Sequence, residues 1–239
     1  MKGCVLMEKT TLYVVRHGKT MFNAIGRTQG WSDTPLTKDG EKAIHYLGLG
    51  LQDYDFEEAY SSDSGRAIET TRIILGERHG KKIPYAIDKR IREWCFGSLD
   101  GGYDGELWGV VPRILAFKNY DDMMEKRISY QNLADAIQQA DTAGWAEPYE
   151  RIRERIWTGF EDIAHKREKN GGGKVLVVSH GLTISFLLSL IDETMPMQIG
   201  LENGSVTKLH YENGKFTIAS VNDMRYLNRG RRISEDLLR

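Results

Sequence analysis

Two histidines stand where apolar runs end. Leu12-Tyr13-Val14-Val15 leads into Arg16-His17-Gly18, and Val175 to Val178 leads into Ser179-His180-Gly181. In an open α/β sheet the carboxyl ends of the strands border the ligand crevice, so residues far apart in the chain can converge there. Two imidazoles delivered to one crevice suit phosphoryl chemistry, which needs a nucleophile, a cage for the equatorial oxygens and a proton for the leaving oxygen. Neutral imidazole, with a pKa of ~6.5, keeps a lone pair near pH 7, and His17 fits the nucleophile. Guanidinium forks match phosphate oxygens in a bidentate way and stay charged, so Arg16 and Arg66 fit the cage and His180 adds a donor. Gly18 puts no side chain before the anion, and a helix following it is expected to aim N–H groups there.

Either histidine alone could simply cap a helix, and Arg66 alone could be a surface ion pair of little energetic weight. Agreement across separated stretches is what sets those readings aside. After His17 come Thr20, Asn23 and the run Gly26 to Thr37, then Tyr60-Ser61-Ser62-Asp63-Ser64-Gly65-Arg66-Ala67, then Arg92-Glu93 with Phe96-Gly97, and last Ser179-His180-Gly181. This ordered set resembles the histidine phosphatase superfamily, in its phosphoglycerate-mutase-like branch, over about residues 11 to 221, with no diagnostic motif across roughly 105 to 170. The resemblance implies a phosphate pocket of Arg16, His17, Arg66 and His180, with His17 the phosphorylated residue. It also implies Glu93 as the acid for the departing oxygen and then the base for water, and substrate-side positions at Asn23, Gln29, Gly30 and Gly181. No cofactor and no metal are expected.

The chain departs from phosphoglycerate mutase proper. That enzyme reads Glu-Arg-His-Tyr-Gly where this chain has Glu93-Trp94-Cys95-Phe96-Gly97, and carries a lysine at the position of Asp104. Lost positive charge weakens the grip on a second phosphate or a carboxylate, which a mutase must hold while it exchanges phosphoryl groups. The expected activity is therefore hydrolysis of a phosphomonoester on a small phosphorylated metabolite. The alternatives are mutase-type transfer using other cations, a catalytically silent phospho-ligand module, and a phosphoprotein substrate.

These residues need elements to hold them. A length of 239 residues suits one domain, 1–239, with a substantial core, and a net charge of −1 offers no global attraction to nucleic acid or an anionic membrane. Cys4 and Cys95 fit neither a disulfide framework nor a metal spacing, which favours the cytoplasm, and no apolar run approaches the ~20 residues of a membrane helix. Met7 is as plausible a start as Met1. The patterns predict an α/β fold: a single three-layer domain, a mostly parallel central sheet with helices on both faces, and a helical insertion over about 105–170 near the site. Overlapping its first part, 103–147 is a candidate lid, with Trp108 and Trp145 as possible roof residues. Leu12 to Val15 reads as a central strand, Ala59 to Ser61 as a second, and Ile83 to Ile87, with Pro84, as an edge. Thr37 reads as an N-cap whose helix Gly48 and Gly50 weaken, and Gly76 or Gly80 as the end of the helix after Arg66. Gly171 to Gly173 precede a strand and read as a turn rather than a phosphate loop. Ser205 to Tyr211 and Lys215 to Val221 read as a hairpin through Asn213-Gly214, with 229–239 a loose terminus or short helix. His45, His79, His165 and His210 match no motif and read as structural or exposed.

Overall fold

The run at Leu12 becomes the interior of a sheet. In the computed structural model, which describes residues 9–77, 82–197 and 200–237, β1 (Thr10–Arg16) lies between β4 (Gly173–Ser179), parallel to it, and β5 (Val206–Glu212), antiparallel. Beyond β4 come β2 (Phe56–Ser61) and the edge strand β3 (Tyr85–Ile87), and beyond β5 the hairpin partner β6 (Lys215–Asp223), giving the order β3-β2-β4-β1-β5-β6. β1, β2, β3, β4 and β6 run in one direction and β5 alone runs against them among the described strands. Pro84, which cannot donate, precedes the edge strand as its chemistry requires. Asn213 and Gly214 both have positive φ, at 52° and 76°, the geometry of a tight hairpin turn.

Alternation along β1 divides the core in two. Leu12 and Val14 pack on one face with residues of the helices α4 (Asp104–Ile114), α6 (Tyr130–Ala140), α7 (Tyr149–Lys169) and α8 (Gly181–Ile191). Tyr13 and Val15 pack on the other with residues of α2 (Lys38–Leu51), α3 (Gly65–Gly76) and α9 (Arg225–Leu237). Both faces are covered, which is why the strand shows no polar alternation. The short helices α1 (Met21–Ala24) and α5 (Tyr120–Glu125) complete the set of α-helices among the described residues. The helical stretch 105–170 divides by position: α7 contacts β1, β4 and β5 directly, while α4, α5 and α6 form the extra segment. That segment is anchored, since Leu107, Val111, Met123, Leu133 and Ile137 are buried in the first core. No described helix is long and apolar enough to cross a membrane. Gly80, His79, Cys4 and the choice between Met1 and Met7 fall outside the described residues.

Two expectations change. Gly48 and Gly50 do not weaken α2, which runs unbroken to Leu51 with Thr37 accepting from Gly40 N at 3.0 Å. They let other helices come close: a Cβ on Gly50 would lie 1.9 Å from the carbonyl oxygen of Tyr226, and one on Gly230 would lie 1.6 Å from that of Tyr46. The expectation for the tail narrows as well: of loose terminus or short helix only the helix holds, because α9 begins at Arg225 and seats the buried Tyr226, Leu227 and Gly230 against α2. Gly171, Gly172 and Gly173, all with positive φ, form the expected turn into β4.

The α2–α9 contact gives a stability test. Gly230→Ala forces backbone apart and should lower the free energy of unfolding by about 1–3 kcal/mol. Gly109→Ala, in a helix with nothing within 4 Å of the new Cβ, should instead be neutral or stabilising by about 0.5–1 kcal/mol. Urea denaturation of both variants decides; equal effects would contradict the close approach.

Candidate active site

Register delivers the histidines together. Arg16 pairs with Ser179 at the end of the parallel β1–β4 ladder, so the next residues, His17 and His180, leave the sheet side by side. His17 N donates to Ser179 O at 3.0 Å. The rings sit with centroids 5.2 Å apart, tilted by 58°.

Arg66, in the first turn of α3, lies between them and is completely buried. His17 Nδ1 is 2.8 Å from Gly18 O and so carries the ring proton, leaving its lone pair on Nε2, to which Arg66 Nε donates at 3.2 Å. Arg66 Nη2 donates to His180 Nδ1 at 2.9 Å, which places the proton of that ring on Nε2, 2.7 Å from its acceptor Ser62 Oγ. The remaining guanidinium donors reach Ser32 O, Asp33 Oδ1 and Gly30 O at 2.8–2.9 Å. Burial, reinforced by Arg66 and Arg16, holds His17 well below the usual imidazole range. Burial, Arg66 and then His17 do the same to His180. Burial also lowers Arg66, opposed by Asp33.

Arg16 contributes a different feature. Its Nη1 donates to Leu201 O, but its Nε is buried with no hydrogen-bond partner among the described residues. Buried donors are almost always satisfied, so this one points to an anion. The missing side chain of Gly181 makes room for it, since a Cβ there would lie 3.2 Å from Arg16 Nε.

Glu93 is buried at the start of α8. Its Oε1 accepts from Trp94 N at 3.0 Å and Thr183 N at 2.9 Å and lies 2.9 Å from the Thr183 hydroxyl, whereas Oε2 accepts only from Leu182 N at 3.0 Å. The carboxylate thus takes up free amides of a helix N-terminus, where negative charge is favoured. Its backbone is held from behind: Arg155 donates to the carbonyls of Arg90, Arg92 and Glu93 at 2.9 Å each and pairs with the buried Glu147 at 2.7 Å.

Arg16, His17, Asn23, Gln29, Glu93 and Gly181 line one cavity of about 220 Å³, together with Arg27, Asp104, Leu107 and Trp108. A larger cavity of about 820 Å³, between Arg127 and Met197, contains none of these residues. Gly30 does not line the pocket: its N–H donates to Asp100 and its carbonyl serves Arg66. Asn23 Oδ1 accepts from Thr20 N and Asn203 Nδ2, and the Gln29 amide bridges Thr20 and Thr34. Trp108 roofs the pocket, but Trp145 is 72% exposed and does not.

Two expectations are corrected. The helix after His17 aims no N–H groups at an anion: α1 has four residues, and the amides of Met21, Phe22 and Asn23 bond Pro35, Thr34 and Thr20. Gly18 is required by packing instead, because a Cβ there would lie 2.7 Å from Ile44, and its N–H bonds Thr70. His180 offers no free donor either, both ring nitrogens being engaged. Sequence reasoning passed over Ser62, Thr183, Asp100, Asp33 and Arg155, whose partners lie far off in the chain. His45 pairs with Glu77, His165 lies near Glu168 and His210 bonds Thr11, all away from the pocket. Among the described residues no group of three or more His, Cys, Asp or Glu could hold a metal ion.

The chain is similar to known proteins of one family. A family model for the histidine phosphatase superfamily, branch 1, matches residues 12–224. A crystal structure of phosphoglycerate mutase from Bacillus anthracis is 39% identical, with a TM-score of 0.89 over 94% of this chain and 98% of that one. The Bacillus stearothermophilus protein YhfR is 29% identical, with a TM-score of 0.70 over 91% and 99% of the two chains. A 2,3-bisphosphoglycerate-dependent phosphoglycerate mutase of Cytophaga hutchinsonii is 29% identical over 191 residues, 79% of this chain and 80% of the relative.

Two buried neutral imidazoles make stability depend on pH. In the unfolded chain they protonate near 6.5; in the folded site they do not, so the unfolded state binds more protons as pH falls. Stability is therefore complete above about pH 6.5 and declines below it, by up to about 1.4 kcal/mol per pH unit for each histidine. Denaturation at pH 7.5, 6.5 and 5.5 should show that slope, and His180→Gln should reduce it. A stability flat from 7.5 to 5.5 would contradict the burial.

Proposed function

The chain belongs to the histidine phosphatase superfamily, branch 1, and on that premise we propose that it hydrolyses a small phosphomonoester through a phosphohistidine on His17. One observation carries the reading: the lone pairs of His17 Nε2 and His180 Nδ1 converge on one buried guanidinium, beside the unpartnered Nε of Arg16.

An arriving phosphoryl group replaces the two imidazoles as acceptor of Arg66 Nε and Nη2. Its oxygens take those N–H groups and that of Arg16, and the released Nε2 of His17 faces phosphorus. An N–P bond forms as the P–O bond to the alcohol breaks, and the alcohol oxygen takes a proton from Glu93. Oε2 is the atom suited to this traffic, because it holds one donor where Oε1 is crowded by three neighbours. Water then attacks phosphorus, gives its proton to Glu93 and frees inorganic phosphate and His17. A substrate bound as its monoanion brings a proton that passes to His180 Nδ1, which then donates to a phosphoryl oxygen while Nε2 goes on donating to Ser62 Oγ; the proton leaves again with the released phosphate. Arg16 and Arg66 supply the charge, so the mechanism is metal-independent, and α4 to α6 act as a lid over the leaving group. The buried free thiol of Cys95 suits a reducing cytoplasm.

The names of the relatives favour a second reading, phosphoryl exchange between positions of a phosphorylated acid. Against it stands the pocket wall, where Asp104 and Glu93 offset Arg27. Release of inorganic phosphate, measured beside interconversion of 3- and 2-phosphoglycerate, separates the two; isomer exchange without hydrolysis sinks the phosphatase reading.

His17→Ala should abolish turnover and acid-labile phosphate on the protein. Glu93→Gln should lower kcat about 10²–10⁴-fold. Ser62→Ala should lower kcat about tenfold, the worth of one buried hydrogen bond of about 1.4 kcal/mol, with Ser62→Thr restoring it. A Ser62→Ala enzyme of full kcat would exclude this role for Ser62 as the acceptor that supports a protonated His180.

A further inference from the structure

Asp104 is a wall residue of the catalytic pocket whose carboxylate makes no ion pair and keeps one oxygen without a hydrogen bond among the described residues. Its backbone is fixed, because segment 26–28 is zipped to 101–104: Asp104 N donates to Gly26 O and Thr28 N to Gly102 O, both at 2.9 Å, with an isolated bridge between Arg27 and Tyr103. Its Oδ1 accepts from the Thr28 hydroxyl at 3.1 Å, while Oδ2 has no hydrogen bond and no cation within 4 Å among the described residues. The start of α4 does not need this side chain, since Glu106 already accepts from Tyr103 N at 3.0 Å. Arg27, on the same wall, is held elsewhere: its guanidinium lies 4.2 Å from the centre of the Tyr103 ring and donates to Gly101 O.

A carboxylate with a free oxygen therefore shares a cavity of about 220 Å³ with groups arranged for a phosphate dianion. Like charges so close oppose binding unless the substrate carries a compensating cation. We propose that Asp104 reads an ammonium group on the alcohol half of the substrate, so that the pocket takes phosphomonoesters of small amino alcohols. The cavity volume leaves room for a phosphoryl group and an alcohol of a few carbons. This inference rests on the phosphatase reading above.

O-Phosphoethanolamine and 2-hydroxyethyl phosphate test it, being achiral and differing only in ammonium against hydroxyl. Inorganic phosphate release by the full-length enzyme should give a kcat/KM at least about tenfold higher for the ammonium ester. Asp104→Asn keeps the acceptor for Thr28 and should collapse that ratio to within about twofold, and Asp104→Lys should invert it. Equal wild-type values, or a ratio untouched by Asp104→Asn, overturn the inference while p-nitrophenyl phosphate hydrolysis leaves the phosphatase reading intact. No phosphate released from any of the three esters sinks both.

Discussion

A fully buried guanidinium organises this active site. Removing an arginine from water costs several kcal/mol, and the charge persists because the group does not deprotonate. It must be surrounded by acceptors, and Arg66 finds them in two imidazoles, Asp33 and the carbonyls of Gly30 and Ser32. Each acceptor then needs its own support. Asp100 receives the amides of Gly30, Trp31 and Ser32 and so turns that loop's carbonyls toward Arg66. Burial, reinforced by the same charge, keeps both imidazoles neutral, as a nucleophile must be.

Glu93 shows one group meeting two demands. As acceptor at the N-terminus of α8 it ties a loop to the helix that starts after His180, so the position of the acid and that of the second histidine are mechanically linked. Arg155 extends the link to α7, whose apolar face covers the sheet. Packing of a layer helix thereby sets the place of the carboxylate proposed to react. Its rear clamp, the Arg155–Glu147 pair, is buried and hydrogen-bonded to three carbonyls, which is the condition under which such a pair is tolerated inside a protein.

Much of this was readable in the chain. Leu12 to Val15 and Val175 to Val178 announce strands covered on both faces. The residue after a parallel strand lies at the crevice edge, so His17 and His180 could be placed together before any coordinates. Asn213-Gly214 and Thr37 signal local geometry through their own chemistry. The features that stayed hidden depend on distant partners. Nothing near Gly50 announces Gly230, so its helix looked weakened rather than docked; nothing near Ser62 announces His180, and nothing near Asp100 announces the amides of a loop about 70 residues earlier. Gly18 invited a reading as a phosphate turn because a glycine beside a nucleophile suits both that and tight packing, and only Ile44 decides between them.

The donors are unequal in a way that bears on catalysis. Arg66 is already aligned and saturated, so a phosphoryl group that replaces imidazole nitrogens exchanges acceptors without turning the guanidinium, which keeps reorganisation small as charge develops. Arg16 Nε, with no acceptor among the described residues, would gain a bond it lacks. The first residue therefore supplies alignment and the second supplies net attraction. In the proposed mechanism the exchange also releases the lone pair of His17 only when an anion displaces Arg66 Nε, so the nucleophile becomes available in the same step that fills the cage.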